Sequence, residues 1–192
     1  MASDPKLDAF IARAGQPIMW QHTAREFVVA ANYLLDWHDV SRAVPEAGDF
    51  RFTLGGPAPV MVLYAIAVEN LLKAIRVARG DVPVVNGVLS QHFKHHNLTS
   101  HAMQAQVTLT VDDADLLQHL SDFVEAGRYP VATAPDNSPR AWRFDFPGDV
   151  DRVWALWEQL ENVLRTTAQD ALPPMDVRKR YRPAGYALPE LM

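Results

Sequence analysis

The chain has 192 residues, no cysteine, 18 Lys and Arg against 23 Asp and Glu, and a formal net charge of -5 at neutral pH. Disulfides, thiolate metal sites and cysteine nucleophiles are excluded, and the acidic balance does not suit a general polyanion binder, although a local basic patch stays open. With 48% hydrophobic and 21% charged residues, the length fits one domain with a substantial core rather than a disordered chain.

Met1 to Gln16 mixes Asp4, Lys6, Asp8 and Arg13 with apolar residues, a pattern wrong for a secretory leader. Residues 5–14 predict a short helix, with Ser3 or Asp4 as its cap and Gly15 as its stop. Thr23 with Glu26 three residues on has capping-box form. It predicts a helix from there to about Val40, with Phe27, Ala30, Ala31, Leu34 and Leu35 as its stripe. Pro45 and Gly48 break the pattern, and Gly55-Gly56-Pro57 closes a loop.

The clearest element runs from about Ala58 to Arg79. Val60, Leu63, Tyr64, Ala67, Leu71, Ala74, Ile75 and Ala78 recur at helical steps, and Gly80 and Pro83 follow. So much apolar surface predicts the central helix of a bundle. Its nearly apolar start, Ala58 to Val68, is too short to span a bilayer and ends at Glu69, so a cytoplasmic protein with no membrane association is expected.

Asp81 to Gln91 is Val- and Gly-rich and suits a loop or a short extended piece. Asn97 can cap a helix from about Leu98 to Gln106. Thr110-Val111-Asp112-Asp113 opens another, striped by Leu116, Leu117, Leu120, Phe123 and Val124 and stopped at Gly127. Arg128 to Gly148 is a long irregular segment with four prolines, the kind that in a compact domain serves function or moves. A last long helix is expected from about Asp149 to Gln169. A Pro-rich basic tail follows, with Arg178, Lys179, Arg180 and Arg182 around Tyr181. Phe50 to Thr53 and Arg143 to Phe146 could at most form a small ribbon. The fold class is therefore all-α, a single-domain bundle of five to six helices over residues 1–171 with a tail over 172–192.

Three constellations could carry chemistry. Glu69, Lys73 and Arg76 share one face of the greasy third helix. Either they are a solvated pair with a basic neighbour, or they face a cleft where a carboxylate and a cation orient a ligand. His92, His95, His96 and His101 lie within ten positions, but the order H-x-x-H-H lacks the glutamate of a zincin helix, and no metal or other cofactor is expected. His96 suits a hydrogen-bonded position just ahead of a helix. Gly127-Arg128-Tyr129-Pro130 would set an arginine and a ring just past a helix end, fit for an anion and for stacking or simply for capping and rim packing. The basic tail suits a solvated end or phosphate contact. Phosphate-binding G-x-x-x-x-G-K-[ST], G-x-G-x-x-G and G-x-S-x-G motifs are absent.

Three segments recur in a telling order. Val68-Glu69-Asn70-Leu71-Leu72-Lys73-Ala74 lies on the long helix, His96-Asn97-Leu98 follows a loop, and Thr110 opens a helix ending in Phe123-Val124-Glu125-Ala126-Gly127-Arg128-Tyr129-Pro130-Val131. From about Ala58 to Val131 this resembles bacterial proteins grouped with the HEPN superfamily. The resemblance implies a four- or five-helix bundle, often a homodimer, in RNA metabolism, toxin–antitoxin systems or phage defence. Active HEPN ribonucleases carry Arg, four to six residues, then His, and no arginine here has a histidine at that distance. The residues matching the subgroup's own words are Glu69, Lys73, His96, Arg128 and Tyr129, which would line a polar ligand pocket, with His96 and Arg128 the candidate catalytic pair. The expected function is a HEPN-like module that binds a nucleotide, RNA or a partner protein. The alternatives are a metal-independent endoribonuclease and a structural dimerisation module, the last suggested by Trp20, Trp37, Trp142, Trp154 and Trp157, of which an exposed pair would mark an interface.

Overall fold

A computed structural model describes residues 4–43, 57–128 and 146–178, with side chains for 4–36, 59–125 and 148–178. Helices dominate these residues, and one two-stranded ribbon accompanies them. Helix α1 (Pro5–Ala14) starts where Asp4 accepts the Lys6 N–H at 2.9 Å, and it ends at Gly15. Helix α2 (Pro17–Ala43) corrects the sequence reading. It opens six residues before Thr23, because Pro17 is preset for a first helical position. Thr23 lies inside the helix, and its hydroxyl donates back to the Met19 carbonyl at 3.1 Å, so it caps nothing.

Helix α3 (Pro57–Ala78) is closed by Gly80, whose φ of 95° a side chain would strain. The Val-rich stretch after it forms a hairpin, β1 (Val84–Val85) with β2 (Val88–Leu89), pairing Val84 with Leu89 and Val85 with Val88. Asn86 and Gly87, at φ 52° and 77°, make the left-handed two-residue turn that suits the twist of paired strands. The two stretches considered for a ribbon, 50–53 and 143–146, lie outside the described residues or, at Phe146, in a helix.

A single turn, α4 (Gln91–Lys94), precedes α5 (Leu98–Gln104), which Asn97 caps by accepting the Ser100 N–H at 2.8 Å. Helix α6 (Val111–Arg128) opens on a reciprocal cap. Thr110 Oγ1 accepts the Asp113 N–H at 3.1 Å, and Asp113 accepts the Thr110 N–H at 2.9 Å. It runs through Gly127 rather than stopping there. Helix α7 (Phe146–Thr167) begins a turn earlier than Asp149.

The central position read for the third helix is what the structure shows. Helix α3 packs against α2, α5, α6 and α7, and Tyr64, Leu71, Leu72 and Ile75 are fully buried in it. Trp157 of α7 is equally buried, Trp20 and Trp154 are half-buried, and Trp37 and Trp142 fall outside the described side chains. No described helix is long and apolar enough to cross a membrane.

The start of α5 is tied into this core from below. Ser121 of α6 accepts the Leu98 N–H at 2.9 Å and donates to the Leu117 carbonyl at 2.8 Å. Leu98 is fully buried, so its N–H has no recourse to water. Ser121→Ala should therefore cost about 1–3 kcal/mol, the penalty of a stranded buried donor, measured by urea unfolding. An unchanged midpoint would dismiss this tie.

Candidate functional site

Positions 69, 73 and 76 fall on one face of α3 because they are four and three residues apart. The solvated alternative is overturned, since Glu69, Lys73 and Arg76 retain only 4%, 5% and 3% of their accessible surface. Their face turns toward Trp20 of α2 and the irregular segment between α4 and α5.

Glu69 is the hub. Its Oε1 accepts from Lys73 Nζ at 2.5 Å and its Oε2 lies 2.7 Å from His96 Nδ1. With a carboxylate as partner, Nδ1 carries the proton and the ring's Nε2 points away from the hub. The His96 side chain keeps 27% of its surface, against 5% for Glu69 and 7% for Lys73. Of this hub, the imidazole edge is what solvent reaches.

Arg76 is consumed by the protein. Its Nε donates to Asp81 Oδ2 and its Nη1 to the His92 carbonyl, both at 2.8 Å, and Nη1 also lies 2.8 Å from His101 Nδ1. His101 Nε2 in turn donates to the His95 carbonyl at 3.0 Å, so its Nδ1 is the acceptor for Arg76. The His95 ring stacks on His101 with centroids 4.2 Å apart, and its Nδ1 accepts the Asn97 N–H at 3.3 Å. Burial, reinforced by the positive charges of Lys73 and Arg76, pushes the His101 pKa down to about 3, against an upward pull from its bond to the His95 carbonyl. Burial first, then Arg76 and Lys73, lower that of His95. These two rings stay neutral and hold the strand of chain that presents His96.

Aromatic rings line the same wall. Lys73 Nζ sits 5.5 Å from the Trp20 ring, Trp20 and Phe93 lie 5.9 Å apart, and the Arg76 guanidinium is 4.0 Å from the Phe93 ring. Each of the two cations thus lies against one of two neighbouring rings, which offsets part of the cost of burying them.

Of the five residues singled out from sequence, Glu69, Lys73 and His96 converge. The Arg128 backbone ends α6, but its side chain and all of Tyr129 lie outside the described residues. Sequence reasoning gives Trp20 only as a core or interface aromatic and places neither Phe93 nor the Arg76–His101 contact in the site. Arg76 and His101 had each been noticed, but nothing in their spacing pairs them, and Trp20 gives no sequence signal beyond an aromatic residue near a helix start. Among the described residues no three His, Asp or Glu stand where they could share a metal ion.

No family model, curated protein or solved structure matches this chain.

Two outcomes follow from this geometry. Lys73→Met takes one of the two partners from a buried carboxylate and should cost about 3–5 kcal/mol. The double variant Glu69→Gln/Lys73→Met should be more stable than that single variant, and a double variant that is worse by the sum of the two would refute the pairing. A histidine with a depressed folded pKa binds fewer protons folded than unfolded. Its contribution to stability is whole above its ordinary pKa of 6.5 and is lost as pH falls toward about 3, at up to about 1.4 kcal/mol per pH unit. Wild type minus His101→Gln should therefore show a stability difference that shrinks from pH 6.5 to about pH 5, and a flat difference would contradict the neutral, buried ring.

Proposed function

We propose that this chain is a cytoplasmic HEPN-like module, acting as a homodimer, that binds the phosphate groups of a nucleotide or RNA through His96, with Glu69 and Lys73 holding the imidazole. The reading is carried by one observation: the Glu69 carboxylate, buried in the central helix, fixes one nitrogen of His96 while the ring's edge stays open to solvent. Lys73 and Arg76 have their charges answered inside the protein, which leaves the His96 ring as the polar group this cluster offers outward. With Nδ1–H given to the carboxylate, the outward Nε2 is presented in one fixed direction, where it can share a proton with a phosphate oxygen.

The same Glu–His contact favours a second reading, a metal-independent endoribonuclease. A carboxylate-oriented imidazole is the arrangement of a general base and its orienting group: His96 would take the 2′-hydroxyl proton as that oxygen attacks the adjacent phosphorus, the P–O5′ bond would break with the 5′-oxygen leaving protonated by water, and a 2′,3′-cyclic phosphate would remain.

One experiment separates them. A fluorescein-labelled single-stranded RNA of mixed sequence should bind the full chain saturably and be recovered intact. His96→Ala should weaken binding tenfold or more, whereas His92→Ala, whose side chain is exposed and outside the hub, should not. Cleavage that disappears in His96→Ala would move the protein to the enzyme reading, and identical binding by wild type and His96→Ala would overturn both.

A further inference from the structure

Away from this site, α2 and α7 form a groove filled by the chain's own irregular segment, residues 171–178. Four backbone groups of that segment are held by side chains of the groove. Leu172 N–H donates to Gln21 Oε1 at 2.8 Å, and Met175 N–H donates to Glu161 Oε2 at 2.8 Å. The Pro173 carbonyl accepts from Arg25, and the Val177 carbonyl accepts from Asn32 Nδ2 at 2.7 Å. Val177 is 1% exposed and packs into the core, whereas Pro173 and Pro174 face solvent.

The groove side is rigidly built. Glu161 is buried and is held by Arg25 through Nε at 2.9 Å and Nη2 at 2.6 Å. Asn32 is fixed from behind by the Tyr64 hydroxyl at 2.5 Å, which accepts from Trp154 Nε1 at 3.1 Å. Residues Gln21, Arg25 and Asn32 lie on one face of α2, at steps of four and seven. Charge-assisted capture of backbone amides and carbonyls, plus one pocket for an apolar side chain, is how proteins bind an irregular or extended peptide. The groove reads backbone groups, Val177, the partly buried Met175 and, at its rim, Arg178, which lies 3.4 Å from Glu158 of α7, and nothing in that recognition requires the peptide to be covalently attached.

We infer that the α2–α7 groove is a peptide-binding site that the segment 171–178 occupies in cis and that the same segment of a second copy of this chain can occupy in trans. The short tether through residues 168–170 holds the cis segment at an effective concentration on the order of mM, so the intact chain resists exchange and a chain with a weakened strap accepts it.

The test uses full-length chains. Val177→Asp removes the strap's anchor and leaves the groove untouched. A fluorescein-labelled peptide of residues 171–178 should bind Val177→Asp at least ten times more tightly than it binds wild type. Adding Glu161→Gln to that variant should weaken the peptide tenfold or more. Unlabelled full-length Glu161→Gln, whose strap is intact and whose groove is impaired, should displace the peptide in excess. Should Val177→Asp fail to fold by circular dichroism, Met175→Pro, which removes the N–H given to Glu161, carries the same comparison. Equal affinity for wild type and the strap variant, no binding to a folded strap variant, or no displacement by the second chain would each overturn the inference.

Discussion

Glu69 sits on the most apolar of the described helices, where a lone carboxylate would have to give up its charge or its place. Burying such an ion costs several kcal/mol even after relaxation, and the cost is met only by close partners of good geometry. Lys73 one turn on and His96 from a separate segment supply them. Everything else around the site follows from that requirement. Lys73 must itself be buried, so it lies against Trp20; His96 must be delivered to a fixed point, so the chain between α4 and α5 must be immobile.

That immobility comes from Arg76 and His101. A guanidinium has a rigid fork of donors, and this one binds the Asp81 carboxylate, the His92 carbonyl and a neutral imidazole together. The imidazole passes the constraint to the His95 carbonyl. One side chain of the central helix thereby pins the segment at residues 92 and 95, and Asn97 and Ser121 pin its far end. His96 is left with one orientation, set from both sides.

How much of this was legible depends on whether the information was local. The period of apolar residues from Val60 to Ala78 placed α3 and its central role, and Asn97 and Thr110 marked two caps correctly, because each signal is written within a few residues of where it acts. Thr23 misled for the same reason: Thr-x-x-Glu is equally compatible with a helix interior, and Pro17 upstream was the stronger start. The face shared by Glu69, Lys73 and Arg76 was visible from spacing, but whether it met water or the core was not, since that depends on what α2 and the 92–97 segment bring against it. The Arg76–His101 contact spans 25 positions and has no periodic signature. Arg128 and Tyr129 entered through resemblance, and their side chains lie outside the described residues.

Several buried polar side chains elsewhere among the described residues answer a demand of the backbone. Ser121 serves the Leu98 N–H, Asn32 the Val177 carbonyl, and Gln21 and Glu161 the amides of Leu172 and Met175. Irregular segments cross the core surface at these points, and a main-chain group left without a partner there would cost about as much as the side chain that satisfies it. Glu69 and Lys73 are different: among the described contacts they bond to each other and to His96, and to no backbone group. Leucine and methionine at 69 and 73 would fill the same space with no charge to compensate, and such replacements of buried ion pairs are often neutral or stabilising. Burial alone therefore does not call for a charged pair at 69 and 73, and what the trio adds is a fixed orientation for a solvent-reaching imidazole.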